Sequence, residues 1–214
     1  MGGTGAGIVV GLVGPVCAGK SEVARLLRQR GAEILDADAI VRELYDSPEV
    51  QEEVRRLFGD EVFDAHGQVD RAAIASRIFG PNRDPRKRQE LTERIIFPRT
   101  GRIVQAHLAT FRARAGPADV LVLDAPTLIE AGRKGWCDKI LFVTAPVERR
   151  NGWAVRRGWD PGEVERRDAA MIPEPRKRLE ADLVIENSGD LGKLERSVQE
   201  VWDALAVEGR GGLP

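Results

Sequence analysis

The residues best suited to chemistry form one short segment near the start of the chain. Residues 14–21 read GPVCAGKS and fit the pattern GxxxxGK[ST] without a gap. Such a loop binds a nucleoside triphosphate, because its backbone N–H groups converge on phosphate oxygens where a helix begins. A glycine-rich turn with an incidental lysine is the alternative. The pattern predicts ATP and Mg²⁺ as cofactors, with these binding residues: Gly14, Pro15, Val16, Cys17, Ala18, Gly19, Lys20 and Ser21.

Two of these side chains have specific expected roles. Lys20 is expected to reach the β and γ phosphates and to act in catalysis, and Ser21 to offer its hydroxyl to Mg²⁺. Phosphoryl transfer to a hydroxyl also needs a carboxylate near the attacking oxygen and cations that balance the charge of the transferred group. The sequence contains candidates for both.

Three aspartates follow predicted strands. Asp38 is expected to orient the acceptor hydroxyl and take its proton, since ligands of open α/β sheets bind at the carboxyl ends of strands. Asp36 is expected to aid that site or to hold water near Mg²⁺. Asp124 ends the apolar run 120–123 and is expected to support Mg²⁺. The alternatives are a helix N-cap for Asp38 and ordinary turn chemistry for Asp124.

A basic segment lies in the second half of the chain. Residues 149–178 contain nine basic and five acidic residues, although the whole chain has a formal net charge of −1. We expect a helical lid over polyphosphate, with Arg156 as the catalytic contact to the transferred phosphate and Arg150 as a second ATP ligand. A pair of solvated helices with i,i+4 ion pairs is the alternative.

The elements that must position these residues alternate along the chain. Short runs rich in Val, Ile and Leu predict buried parallel strands at 8–13, 33–35, 120–123, 140–143 and 183–185. Helical patterns occupy 20–29, 147–157, 161–171 and 191–205. Residues 41–115 contain several helical stretches and no convincing strand, and Pro98 is expected to kink or divide one of them. This order predicts an α/β fold with a helical insertion.

Bulk composition bounds the remaining possibilities. A length of 214 residues suits a single domain, with a core near residues 6–40 and 116–208, and 42% hydrophobic residues suit a globular chain. Cys17 and Cys137 are expected to be free thiols. The near-zero charge argues against nucleic-acid binding, and no apolar run is long enough for a membrane. We expect a cytoplasmic protein, a monomer or weak homo-oligomer.

Several longer segments carry a family resemblance. GAEILDAD (31–38), VDRAAI (69–74), IFP (96–98), LDAPTLIE (123–130) and ADLVIENSG (181–189) follow the loop in order. Together they resemble dephospho-coenzyme A kinase, from Ile8 to about Leu205. The resemblance implies transfer of the γ-phosphoryl group of ATP to the ribose 3′-hydroxyl of dephospho-CoA. It also implies a P-loop three-layer α/β/α fold with a five-stranded parallel sheet, an acceptor-binding helical region and a mobile lid.

The resemblance also assigns further residues. Asn187, Ser188 and Gly189 would meet the adenine of ATP through backbone groups, although alone they indicate a turn. Arg71 would bind the acceptor's phosphates, and Asp70-Arg71 is equally an ordinary helix start. Pro126, with Asp36 and Asp38, falls among the substrate-binding residues.

The sequence departs from the family at several positions. Phe97 stands where the family usually has histidine, Gly152 where it has the first lid arginine, and Met171 where it has glutamine, while Pro15 and Cys17 replace smaller loop residues. Two alternatives therefore stay open. One is a nucleotide or nucleoside kinase with a different small acceptor, and the other is a non-catalytic nucleotide-binding paralogue.

Overall fold

The computed structural model describes residues 7–80 and 83–209, which contain a five-stranded parallel sheet. Its strand order is β2-β3-β1-β4-β5. The α/β fold and the five-stranded parallel sheet predicted from the sequence are confirmed, with strand ends that differ by at most one residue. The strands are β1 (Ile8–Val13), β2 (Glu33–Asp36), β3 (Val120–Asp124), β4 (Lys139–Thr144) and β5 (Leu183–Glu186).

The central strands are buried on both faces, as expected for a parallel sheet covered by helices. All six residues of β1 are buried, and so are the first four of β3. At Gly11 an added Cβ would lie 2.6 Å from a methyl carbon of Leu128 and 2.9 Å from one of Ile140. A larger residue there would push the neighbouring side chains out of the core, so glycine lets the layers approach.

Helices accompany the strands along the chain. Helix α1 (Lys20–Gln29) packs with the long C-terminal helix α10 (Leu191–Gly209), because Val23, Leu26 and Leu27 share one hydrophobic cluster with Leu194 and Val198. The bounds are α1 (Lys20–Gln29), α7 (Val147–Arg156), α8 (Glu163–Asp168), α9 (Glu174–Leu179) and α10 (Leu191–Gly209). The helix predicted at 161–171 is shorter than expected, since Gly162 takes a left-handed conformation with φ of 80° and α8 begins after it.

The chain divides into two compact units. One contains the described residues up to Asp36 and those from His107 onward, and the other is Ala37–Ala106. The predicted insertion, residues 41–115, overlaps the second unit. The assignment of the whole chain to one kinase domain stays a prediction.

The second unit is helical, as predicted, with its own hydrophobic cluster around Val54, Phe58 and Ile95. Ser47 caps helix α3 (Pro48–Phe58) by accepting a hydrogen bond from the Val50 N–H. The helices are α2 (Ala37–Leu44), α3 (Pro48–Phe58), α4 (Arg71–Phe79), α5 (Pro85–Gln89), a π-helix (Glu90–Ile96) and α6 (Phe97–Arg114), whose last residues belong to the first unit.

The helix changes type next to Pro98, where a kink or a division was predicted, but it is not interrupted there. The π-helix ends at Ile96, and Pro98 is the second residue of α6. The helix continues through this boundary, since the Phe97 N–H donates to the carbonyl oxygen of Thr92, and the hydrogen-bond ladder changes from the π to the α pattern beside Pro98. Within residues 7–80 and 83–209, no helix combines the length and apolar character needed to cross a membrane.

Candidate functional site

The loop between β1 and α1 has the backbone shape that its glycines predict. Gly14 and Gly19 have φ of 149° and 96°. A Cβ on Gly14 would overlap the carbonyl oxygen of Val143, and one on Gly19 would overlap the side-chain amide of Asn187. Both positions therefore require glycine, and the predicted strand–loop–helix context is present.

Cys17 has an unusual place in this loop. Its φ is 58°, and no other non-glycine residue in the described ranges has a positive φ. The thiol is buried among Ala154, Val164 and Trp159, and Nη1 of Arg157 lies 3.8 Å from its sulfur. A left-handed non-glycine residue is strained and persists where its surroundings fix it. Here the surroundings come from α7 and α8.

Lys20 lies across the loop at the start of α1. Its ammonium group donates to the carbonyl oxygens of Gly14, at 2.9 Å, and Pro15, at 2.8 Å. The neighbouring Ser21 is exposed in the first turn of the helix. An ammonium group, a helix N-terminus and a glycine-shaped loop thus converge, which fits a triphosphate.

The carboxylates end neighbouring strands at the same sheet edge. Asp36 of β2 pairs in register with Asp124 of β3, and Asp124 pairs with Leu12 of β1, one residue before that strand ends. Side chains in register on parallel strands leave the same face of the sheet. Their carboxylate oxygens, like the hydroxyl of Ser21, are of the donor type that Mg²⁺ prefers.

Mg²⁺ in kinases is held by few protein ligands together with substrate phosphates. The described residues contain no cluster of three or more His, Cys, Asp or Glu side chains that could hold a metal by itself. The oxygen donors of Ser21, Asp36 and Asp124 are compatible in type with a magnesium ion that binds together with its nucleotide.

Arg150 is not on an open surface, where a phosphate ligand was expected. It is only 5% exposed, and its Nη1 donates to the carbonyl oxygen of Val16 at 3.2 Å and to Oδ2 of Asp168 at 2.5 Å. Asp168, which the sequence analysis did not select, also accepts a hydrogen bond from the Val16 N–H at 3.2 Å. Arg156, in contrast, is exposed at the end of α7.

A cavity of about 300 Å³ lies beside the loop. Asn187 and Gly189, which the resemblance assigns to the adenine site, line this cavity, whereas Ser188 uses its carbonyl oxygen to accept from Arg149 at 2.7 Å. The buried Asn187 donates to the carbonyl oxygen of Ala18 at 3.1 Å, which fixes the cavity wall to the loop. The lining residues are Cys17, Gly19, Glu22, Arg149, Trp153, Arg157, Asn187, Gly189, Asp190, Leu191 and Leu194.

A buried ion pair supports the segment after Asp124. Lys177, 2% exposed, contacts Oε1 of Glu130 at 2.5 Å and donates to the carbonyl oxygen of Pro126 at 3.2 Å. Oε1 of Glu130 also accepts from the Ile172 N–H at 3.2 Å. The predicted substrate residue Pro126 is thus held in place from α9. In the sequence, Lys177 is only one member of a basic run.

Two predicted residues lie in the second unit, Ala37–Ala106. Asp38 is exposed in the first turn of α2, which begins at Ala37, so Asp38 is inside the helix and is not its N-cap. Arg71 begins α4, and Asp70 caps that helix by accepting from two backbone N–H groups. Burial raises the pKa of Tyr45 to about 12, and the charge of the nearby Arg71 opposes that rise.

The family model for dephospho-CoA kinase matches residues 8–193 of this chain. The chain belongs to the dephospho-CoA kinase family. A dephospho-CoA kinase from Deinococcus radiodurans is 40% identical over 199 residues, which cover 92% of each chain. One from Thermus thermophilus is 35% identical over 206 residues, covering 96% of this chain and 95% of the relative.

Two solved structures are similar in fold to this chain. A crystal structure from Thermus thermophilus has a TM-score of 0.76 at 34% identity, covering 93% of this chain and 98% of that one. A dephospho-CoA kinase from Campylobacter jejuni has a TM-score of 0.66 at 15% identity, covering 94% and 98%. The second likeness shows a shared fold. Kinases of this family use ATP, which agrees with the loop.

The departures from the family pattern have ordinary surroundings. An added Cβ on Gly152 would meet no heavy atom within 4 Å, so the helix leaves space there. Met171 is half-buried between α8 and α9 along the chain, and Phe97 packs against the hydrophobic cluster of the second unit. None of these three residues belongs to the loop of residues 14–21.

Proposed function

We propose that this chain transfers the γ-phosphoryl group of ATP to the ribose 3′-hydroxyl of dephospho-CoA, giving CoA and ADP. Membership of the dephospho-CoA kinase family over residues 8–193 carries this proposal. The glycine-shaped loop, Lys20 and the paired strand-end aspartates support it, because they supply the parts that phosphoryl transfer needs.

ATP binding would use the loop and the helix behind it. The backbone N–H groups of residues 14–21 would hold the phosphates, aided by the N-terminal end of α1. Lys20 would exchange its present hydrogen bonds to two loop carbonyls for bonds to the β and γ phosphates. The cavity lined by Asn187 and Gly189 would receive the adenine.

The transfer step would use carboxylates and the hydroxyl of Ser21. Asp38 would accept the proton of the ribose 3′-hydroxyl while that oxygen attacks the γ phosphorus and ADP leaves. Asp36 would assist this site. Ser21 and, through water, Asp124 would hold Mg²⁺, which supplies charge neutralisation at the phosphates when bound. Arg71 and Pro126 would contact the acceptor.

Arg156 would stabilise charge on the transferred group, because it is exposed and makes no hydrogen bond or ion pair with a described residue. Direct phosphate binding by Arg150 would require it to leave both Val16 and Asp168. We therefore place the predicted contact to the transferred phosphate at Arg156.

A coupled assay with an acceptor panel tests the proposal. Purified protein with ATP and Mg²⁺ should produce ADP and CoA from dephospho-CoA, and little ADP with other nucleosides or sugars. Lys20→Ala should lower kcat/KM by about a thousandfold, since a charge that stabilises the transition state is lost. Lys134→Ala, which removes an exposed lysine outside the loop, is the matched control. Preference for another acceptor would refute the assignment.

A further inference from the structure

One loop residue, Val16, has both of its backbone groups held by the same pair of side chains. Its N–H donates to Oδ1 of Asp168 at 3.2 Å, and its carbonyl oxygen accepts from Nη1 of Arg150 at 3.2 Å. Nη1 of Arg150 also donates to Oδ2 of Asp168 at 2.5 Å. These three hydrogen bonds close a ring, which we call the Val16 clamp.

The clamp fixes the orientation of two successive peptide planes. In a trans peptide the C=O and N–H groups point in opposite directions. Because Asp168 holds the Val16 N–H, the carbonyl of Pro15 in the same peptide faces the other way, where it accepts from Lys20 at 2.8 Å. Because Arg150 holds the Val16 carbonyl, the N–H of Cys17 must also point away from the clamp.

Burial makes this arrangement specific. Arg150 is 5% exposed, and the Asp168 side chain is 28% exposed. Removing two charges from water costs free energy, which their attraction offsets only when their hydrogen-bond geometry is close to ideal. Such a pair therefore often adds little net stability compared with apolar side chains in its place. The pair also lies beside Cys17, whose left-handed backbone needs support from its surroundings. The clamp supplies that support.

We propose that Arg150 and Asp168 are positioning residues that set the loop's peptide planes for ATP. They act through Val16, and they do not touch the reacting atoms. This inference rests on the proposed function, since it concerns the same ATP site. It assigns a role to Asp168 and replaces a direct phosphate contact by Arg150 with support of the loop from behind.

The test is a double variant, Arg150→Leu with Asp168→Leu, which removes the clamp and leaves no unpaired buried charge. Its melting temperature should stay close to the parent's, because apolar replacement of a buried pair is often neutral. KM for ATP should rise about tenfold, the effect expected when ordering by one or two hydrogen bonds is lost. KM for dephospho-CoA should stay unchanged. An exposed pair, Lys134 and Glu180 at 2.7 Å, gives the control Lys134→Gln with Glu180→Gln.

Hydrogen exchange gives a second measurement that needs no turnover. In the ATP-free parent the Val16 amide should be protected, and the double variant should exchange it about tenfold faster. The single variant Arg150→Lys keeps the charge and a donor. Its affinity for ATP should therefore be close to the parent's and well above that of the double variant. A purely structural role would not separate the two KM values.

The outcomes separate the two proposals. In one outcome the parent turns over dephospho-CoA while the folded double variant shows an unchanged KM for ATP. That result would overturn the proposed positioning role of the clamp and leave the proposed function intact. A parent that does not bind ATP overturns the proposed function. Should the double variant fail to fold, Asp168→Asn replaces it. That variant keeps an acceptor for Val16 but loses the ion pair, so KM for ATP should rise about threefold, and an unchanged value overturns the clamp.

Discussion

Lys177→Met should destabilise the protein strongly, although it changes a residue in a segment rich in surface charge. The Lys177 side chain is 2% exposed and its partner Glu130 18% exposed, with 2.5 Å between the charged atoms. Methionine fills a similar volume but leaves Glu130 buried without its cation. Removing one partner of a buried pair costs about 3–5 kcal/mol in free energy of unfolding. For a chain of this size that corresponds to a melting temperature lower by about 10 °C.

Urea denaturation at pH 7, followed by circular dichroism, measures this loss. Arg178→Met is the matched control, because Arg178 is the next residue in α9 and its pair with Glu186 at 2.8 Å is exposed, so the cost should be below about 1 kcal/mol. Adding Glu130→Leu to Lys177→Met should recover much of the stability, since no buried charge is left unpaired. Equal losses in Lys177→Met and Arg178→Met would refute the assignment of a buried pair.

Three further changes test other features. Gly152→Ala should raise the free energy of unfolding by about 0.5–1 kcal/mol, because alanine favours a helix interior and its Cβ meets no atom within 4 Å; a loss measured in urea would contradict this. Burial, with the charge of Asp138, raises the pKa of Cys137 to about 12. The unfolded thiol ionises near pH 9 while the folded one keeps its proton, so stability should fall by about 1.4 kcal/mol per pH unit from pH 9 to 12. Urea midpoints at several pH values should show a shallower fall in Cys137→Ala, and identical slopes would refute the cause. Asp38→Asn should lower kcat by about 10²–10⁴-fold with little change in KM for ATP, and normal turnover would remove the proposed base.

Local patterns predicted the sheet and the loop well, for a physical reason. Each strand is a short apolar run that can be buried only between layers of helices, and residues 14–21 fit a motif whose spacing reflects backbone geometry. The register of Asp36 with Asp124 follows from strand order, which the sequence does not state. The sequence therefore predicted only that both aspartates lie at the carboxyl ends of strands, and not that they are paired.

The Val16 clamp and the buried pair could not be predicted in this way. Asp168 contacts Val16 across 152 positions of the chain, and Lys177 contacts Pro126 across 51. Buried and solvent-exposed ion pairs are made of the same residue types. A run of charged residues in the sequence therefore does not show which of its members are buried. The late start of α8 has a local cause, because Gly162 before it has a left-handed backbone conformation. A glycine permits this conformation but does not require it, so the sequence alone did not predict it.

The basic segment 149–178 shows why a count of charges is a weak guide to phosphate binding. Most of its cations already have protein partners: Arg149 with Ser188, Arg150 with Asp168, Arg157 with Cys17, Arg166 and Arg167 with Glu163, Lys177 with Glu130, and Arg178 with Glu186. A cation engaged in this way must lose its partner before it can bind phosphate. Arg156 has no such cost, since it is exposed and pairs with no described residue. The proposal of Arg156 for the transferred phosphate therefore combines its place in the family pattern with its availability, whereas two other cations of the segment, Arg150 and Arg157, contact the loop itself.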